Sequence, residues 1–169
     1  MSVDGFIAGP GGDMSWLAQH LGSSSGNDLA SEIGALLIGR RTFSGDDPNA
    51  GTEKEGPFGG QWRGPSIVLT HDPPAEPWPD DTSSSDDLQV AVSAAKAAAA
   101  GRFVNVLGAD VARQCIEAQV LDEVLVFVVP QLLGDGVRLF EHPGGKSVRL
   151  DPIDPGPAGP SALRFRVRL

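Results

Sequence analysis

The stretch FVNVLGADVARQCIEAQVLDEVLVFVVPQLLGDGVRLF, Phe103 to Phe140, decides how the rest of the chain is read. It begins with a short apolar run rich in β-formers, Phe103-Val104-Asn105-Val106-Leu107, and halts at Gly108. Val111, Cys115, Ile116 and Val120 then recur at a spacing of about 3.6 residues, the period of a helix with one buried face. Val124 to Val129 is almost wholly β-branched or aromatic, which suits a strand buried on both faces. Pro130 ends its ladder, because proline has no N–H to donate. The order is strand, glycine turn, helix, strand. A helix that starts through a small-residue corner after a strand aims free N–H groups and a positive dipole end outward, a seat for phosphate. Gly108-Ala109 also reads as a plain tight turn, and both readings stand at this point.

Working outward, 169 residues is the length of one domain, 1–169, with room for a single core. The apolar fraction of 40% and charged fraction of 21% are those of a soluble globular protein, while 22 Gly and 14 Pro require long irregular connections. Thirteen basic and 22 acidic side chains leave a formal charge of −9, which repels a phosphate backbone and argues against a nucleic-acid partner. Arg164, Arg166 and Arg168 recur with period two, the mark of a strand's wet face. The sole cysteine, Cys115, excludes an internal disulfide and falls in the helical apolar pattern as a small core residue. His20, His71 and His142 are far apart and C-x-x-C is absent, so no metal site is expected. No basic-then-apolar leader opens the chain, and no apolar run approaches the roughly 18 residues of a membrane span. The expectation is a cytoplasmic protein without a membrane partner.

Taken in order, Phe6-Ile7-Ala8 is strand-like and leads into a Gly9-Pro10-Gly11-Gly12 loop; only three residues precede Asp4, so a strand entering there is very short. Asn27 or Asp28 can cap a helix across Leu29, Ile33 and Leu36. Leu36-Leu37-Ile38 is a short buried strand, followed directly by Gly39-Arg40-Arg41-Thr42. Residues 44 to 65 carry no periodicity, and a loop of that length is a lid, a binding loop or disorder. Ser66 to Thr70 is another buried strand, and 72 to 87 is irregular. Leu88 to Ala100 is an alanine-rich helix that Gly101 stops in the left-handed conformation. Beyond Phe140, Val148–Leu150 and Leu163–Leu169 alternate apolar and polar around a Pro/Gly-rich loop, Pro152 to Pro160. The sum is an α/β fold: a mostly parallel mixed sheet with helices packed on it and an antiparallel C-terminal edge.

Open α/β sheets bind ligands at the carboxyl ends of their strands, which here means the Gly9 loop, Gly39–Thr42, Thr70-His71 and Gly108–Asp110. Arg40 and Arg41 offer forked donors suited to phosphate, or form a solvated pair. Thr70 at a strand end donates to phosphate or starts a turn. His71 reads as a surface loop residue.

Together these pieces resemble the dihydrofolate reductase-like superfamily, and more closely small stand-alone proteins related to the reductase domain of the riboflavin-biosynthesis deaminase/reductase. The matching segments are Ser2-Val3-Asp4-Gly5-Phe6-Ile7-Ala8, Gly39-Arg40-Arg41-Thr42, Ile67-Val68-Leu69-Thr70, Val106-Leu107-Gly108-Ala109 and Val120-Leu121-Asp122-Glu123 leading to Pro130 through Phe140. The resemblance implies a three-layer fold with helices on both sheet faces, an NADPH cofactor, a small heterocyclic substrate and a homodimer. It gives Gly39, Arg40, Arg41 and Thr42 the cofactor phosphates, and Thr70 the 2′-phosphate. Gly108, Ala109, Asp110 and Val111 would hold the pyrophosphate. Ile7 and Ala8 would lie beside the nicotinamide, and Asp4 and Trp16 on the substrate side. Asp46, in Asp46-Asp47-Pro48, takes a place near the cofactor by the same resemblance and reads otherwise as an ordinary loop acid.

The chain departs from that pattern at several places. Ala109 stands where the family has the second glycine of a pair, and its methyl crowds the backbone if that residue needs φ > 0. No acid follows Trp16 until Asp28, which speaks against folate reduction. Leu107 replaces a substrate-contacting Glu, and Ala50–Glu53 replace a region carrying an Arg. Relatives carry a full strand ahead of Ser2-Val3-Asp4-Gly5, so Met1 enters that strand partway. Two functions follow: a reductase passing hydride from NADPH to a pteridine- or pyrimidine-like heterocycle or a related carbonyl or imine, or a nucleotide-binding or sensing module that kept the fold and lost turnover.

Overall fold

The computed structural model describes residues 1–20, 27–45, 47–73, 75–158 and 162–168. In chain order the elements are β1 (Phe6–Ala8), α1 (Asn27–Glu32), β2 (Ile33–Gly39), α2 (Arg40–Phe43), β3 (Ser66–Leu69), β4 (Thr82–Ser85), α3 (Leu88–Ala99), β5 (Phe103–Leu107), α4 (Ala109–Glu117), β6 (Glu123–Phe127), β7 (Val137–Arg138), β8 (Arg149–Ile153) and β9 (Ala162–Arg168). A parallel sheet runs in the order β4-β3-β2-β5. An antiparallel sheet runs β6-β9-β8, and β1 pairs antiparallel with β7. This is the α/β fold with an antiparallel edge that the pattern of elements implies.

β2 is the centre. Its sequence, IGALLIG, is apolar throughout because a central parallel strand is covered on both faces. Leu37 packs with Ala91, Ala95, Val111 and Cys115 of α3 and α4, while Leu36 and Ile38 pack on the other face with Ala30 of α1 and Trp62. α3 presents a stripe of small residues, Ala91, Val92, Ala95 and Ala99, which brings its backbone close to the sheet. Gly34 answers that stripe, since a Cβ there would run into the Ala99 backbone. Burial pushes the Cys115 thiol up to about 11, as befits a core residue.

Three local readings are corrected. The helix expected across Leu29, Ile33 and Leu36 ends at Glu32, and Ile33 already belongs to β2. Two-sided burial decides the matter over a helical spacing that three residues happen to share. Thr82–Ser85 is a strand inside the segment read as irregular; it borders β3 as a polar edge and so carries no apolar signal. Within the 44–65 segment, read as a lid, a binding loop or disorder, several described residues are held in place. Trp62 is buried and its indole N–H donates to Ile33 O at 3.1 Å, while the Asp47 carboxylate accepts from the N–H groups of Asn49 and Gly56. Finally, β6 is shorter than expected and only Val126 is fully buried in it. At the end of α3 the left-handed turn falls on Ala100 (φ 50°) as well as on Gly101 (φ 84°).

Candidate functional site

β2 and β5 are parallel neighbours with Ile38 opposite Leu107, so the residue after each pair, Gly39 and Gly108, meets the other at one end of the sheet. Gly108 has φ +108°, a conformation an L side chain rarely adopts, and a Cβ on it would stand 2.9 Å from Thr42 Oγ1 and 3.7 Å from Gly39 N. A Cβ on Gly39 would lie 3.0 Å from Val111 Cγ2. Two glycines thus let the first turns of α2 and α4 rest against each other. Ala109 opens α4 with an ordinary helical backbone; the positive φ falls on Gly108 alone. The methyl that replaces the family's second glycine is therefore accommodated. No side chain caps α4, so its first-turn N–H groups and dipole end are presented at this corner.

Charged groups gather around it. Arg40 Nη1 lies 2.9 Å from Asp72 Oδ2 in the loop after β3. Thr70 starts that loop: its hydroxyl accepts from Asp72 N and donates to Asp72 O. Since β3 adjoins β2, with Leu69 opposite Gly39, Arg40 and the Thr70–Asp72 turn form one group beside the corner. Asp110, in the first turn of α4, is turned back along its own helix. It accepts from Arg113 at 2.6 Å and from Gln114 at 2.8 Å. The Arg113 hydrogen bond chiefly holds its carboxyl below the usual range, and the nearby Arg41 charge works the same way.

The other wall comes from the β1–β7 ladder. A cleft of about 300 Å³ lies between α4, with Ala109, Asp110 and Arg113, and the segment Gly136-Val137-Arg138 with Glu141. Gly136 has φ +132°, and a Cβ there would collide with Ala8 O and the Gly9 backbone, so a glycine is needed for the ladder to close. β7 in turn pairs Arg138 with Phe6 and Val137 with Ala8, which carries Ile7 and Ala8 to the strand bordering the cleft. The Arg138 guanidinium sits 4.5 Å over the Phe6 ring and donates to Asp4 O at 3.3 Å.

Asp4 acts as a clamp. Its carboxylate accepts from Ser2 Oγ at 2.6 Å, from Leu133 N at 3.1 Å and from Gly134 N at 2.7 Å. The Ser2 hydroxyl, then the Gly134 N–H, lower its pKa to about 2. It is a carboxylate at neutral pH and a poor proton donor. Trp16 is buried in a single helical turn, Ser15–Leu17, away from the cleft lining, and its Nε1 has no hydrogen-bond partner among the described residues. Val111 is a core side chain that reaches the corner only through its backbone and Cγ2. Asp46 lies outside the described residues. The structure therefore brings together Gly39, Arg40, Arg41, Thr42, Thr70 and Gly108–Val111, while Ile7 and Ala8 do not line the cleft and lie on β1, the strand paired to its β7 wall. Sequence reasoning passed over Asp72, Arg113, Gly136, Arg138 and Glu141. Of these, only Gly136 carries a signal in the sequence, as the second glycine of Gly134-Asp135-Gly136, a composition typical of turns.

No curated protein matches the chain in sequence. Among solved structures the fold is shared with a Shewanella sp. PV-4 protein assigned to riboflavin biosynthesis (TM-score 0.69, 20% identity, covering 100% of this chain and 96% of that one). It is shared also with RibD from Acinetobacter baumannii (TM-score 0.57, 17% identity, 98% of this chain and 55% of that one), so the chain spans about half of that protein. A third is dihydrofolate reductase from Enterococcus faecalis complexed with NADP(H) (TM-score 0.51, 18% identity, 99% and 90%). The profile of the RibD C-terminal domain covers residues 1–156, nearly the whole chain, and by that match the protein belongs to the RibD C-terminal domain family.

Proposed function

We propose that this protein is an NADPH-dependent reductase acting on a flat pteridine- or pyrimidine-like heterocycle, or on a related carbonyl or imine. One observation carries the reading: the glycine corners that end β2 and β5 sit against each other, with the uncapped start of α4 and two arginines beside them. That arrangement fits the anionic part of a dinucleotide. The space a Gly108 side chain would fill is the space through which phosphate oxygens approach the backbone. In this reading the N–H groups of Ala109, Asp110 and Val111 hold the pyrophosphate with Gly39, Arg41 and Thr42. Arg40 and Thr70 hold the additional phosphate that separates NADPH from NADH. Ile7 and Ala8 flank the nicotinamide end.

Bound NADPH would supply the hydride; the chain supplies the seat and the orientation. Asp4 fixes the loop of Leu133 and Gly134, and with it Gly136 and the cleft wall. Because that carboxylate is ionised and its hydrogen bonds are taken, the proton that completes reduction comes from water rather than from Asp4.

A binding module without turnover is the second reading. It is favoured by the departures on the substrate side, where Leu107 replaces a substrate-contacting Glu and no acid follows Trp16 until Asp28. The test separates the two. NADPH is titrated by nicotinamide fluorescence, then its absorbance is followed with a panel of pteridines and aminopyrimidines. Binding with oxidation supports the reductase, and binding without oxidation across the panel supports the module. Failure to bind NADPH at micromolar concentration refutes both.

A further inference from the structure

The two arginines that follow β2 face different acids. Arg41 is close enough to α4 for its charge to act on Asp110. Arg40 turns instead to the loop after β3, where its Nη1 lies 2.9 Å from Asp72 Oδ2. Asp72 is itself held in that place. The Thr70 hydroxyl accepts from Asp72 N at 3.1 Å and donates to Asp72 O at 3.0 Å, closing a tight turn. Leu69 stands opposite Gly39, so this turn and the start of α2 leave the sheet side by side. One acidic residue thus occupies a donor of Arg40 and the donor of Thr70 at once.

Neither hold is strong. The Arg40 and Asp72 side chains are 49% and 76% exposed, and an ion pair so open to water adds little to stability. A phosphate, with more charge and more acceptor oxygens than a carboxylate, can take the guanidinium from it. A hydroxyl cannot, but it can donate to the carboxylate as it stands. In dinucleotide sites a carboxylate accepts from a ribose 2′-hydroxyl and an arginine takes a 2′-phosphate. Here both side chains reach one point, paired with each other.

We propose that Asp72 sets the choice between the two nicotinamide dinucleotides: it accepts from the 2′-hydroxyl of NADH and yields Arg40 to the 2′-phosphate of NADPH. The site therefore takes both, and Asp72 narrows the preference for NADPH that Arg40 creates. Its charge opposes the extra phosphate, and its pairing must be broken before Arg40 is free. This inference rests on the reading of Arg40 and Thr70 as the groups that face the additional phosphate.

The test is a set of titrations of wild type, Asp72→Ala and Asp72→Asn with NADPH and with NADH, followed by nicotinamide fluorescence at one ionic strength. Asp72→Ala is expected to tighten NADPH by about 3- to 10-fold and to weaken NADH by about 3- to 10-fold. Asp72→Asn, which still accepts from a hydroxyl but carries no charge, should tighten NADPH and keep more of the NADH affinity than Asp72→Ala does. Opposite signs for the two cofactors cannot come from a loop that has merely loosened. Equal changes in both, or none, overturn the proposal. So does a loss of NADPH affinity in Asp72→Ala, which would make Asp72 the residue that orients Arg40 for phosphate. Failure of wild type to bind either dinucleotide refutes the cofactor reading and this inference with it, whereas binding with an unmoved ratio refutes the inference alone.

Discussion

Gly108→Ala is the sharpest test of the corner. At φ +108° and ψ 131° the backbone lies where L residues are strained, at a cost of about 1–3 kcal/mol. The new Cβ would stand 2.9 Å from Thr42 Oγ1, closer than carbon and oxygen tolerate, and Gly39 N at 3.7 Å blocks a simple shift the other way. Thr42 is exposed and can rotate aside, so the clash adds little to the folding cost but alters the seat. For a domain of this size the strain lowers the thermal midpoint by about 2–12 °C. Loss of one charge-assisted bond to phosphate weakens NADPH by about 10- to 100-fold. Circular dichroism melting and fluorescence titration measure both. Gly101→Ala is the control: Gly101 also has positive φ (+84°) but meets nothing within 4 Å and lies at the opposite end of β5. It should lose stability and keep NADPH affinity. If Gly108→Ala melts lower yet binds NADPH as the Gly101 variant does, the phosphates do not rest in this corner, and the cofactor assignment falls with them.

Arg40→Ala is expected to weaken NADPH by about 10- to 100-fold and NADH by little, since a charge-assisted bond to the extra phosphate is lost; equal losses measured by titration would remove Arg40 from that phosphate. Asp4→Asn should lower the thermal midpoint at neutral pH. Because the folded pKa of about 2 lies below the unfolded 3.8, the Asp4 contribution is fully present above pH 3.8 and is lost as pH falls through about 2. The gap between wild type and variant in denaturant titrations should therefore be constant above about pH 4 and close between pH 4 and 2. Gly34→Ala should cost about 3 kcal/mol or more, the upper end for overpacking, because the Cβ meets the Ala99 backbone and not a movable side chain; a midpoint near wild type in urea would mean that α3 is not held that close.

The parts of this fold that the sequence makes legible are those where one periodicity acts alone. β5, α4 and α3 emerge within a residue or two because each has a clean apolar run or a single buried stripe with a glycine or aspartate at its end. β2 was legible at Leu36–Ile38 and not at Ile33, where strand burial and a chance helical spacing point opposite ways. β4 was invisible: a Thr-Ser-Ser-Ser edge is held by its ladder to β3, not by apolar contacts. The corner residues could be named from the motif, yet the meeting of Gly39 with Gly108 depends on β2 and β5 being neighbours, which is a property of sheet order. Ala109 shows the same limit. The sequence shows a Gly-Ala turn but does not say whether either residue takes positive φ, and the structure puts it on Gly108.

One wall of the cleft is α4, packed on the β2–β5 sheet, and the other belongs to the β1–β7 ladder, and this bears on how the site is held. The corner is built on β2 and β5, whose packing against α3 and α4 fixes it within the main core. The Gly136–Arg138 wall belongs to the β1–β7 ladder, two short strands that could not persist alone in water. That ladder is tied down by the Asp4 carboxylate on Leu133 and Gly134, by the Gly136 contact with Ala8, and by the Met1–Val3 bonds to the end of β6. Each tie is local and polar except the Gly136 contact. The glycine corner thus rests on the core, while the Gly136–Arg138 wall is set by a few hydrogen bonds near Met1–Asp4. If the proposed reading holds, changes at Asp4 act on the placement of whatever faces the nicotinamide, and changes at Gly39, Arg40 or Gly108 on binding itself. Such a division lets the two halves of the site be perturbed separately.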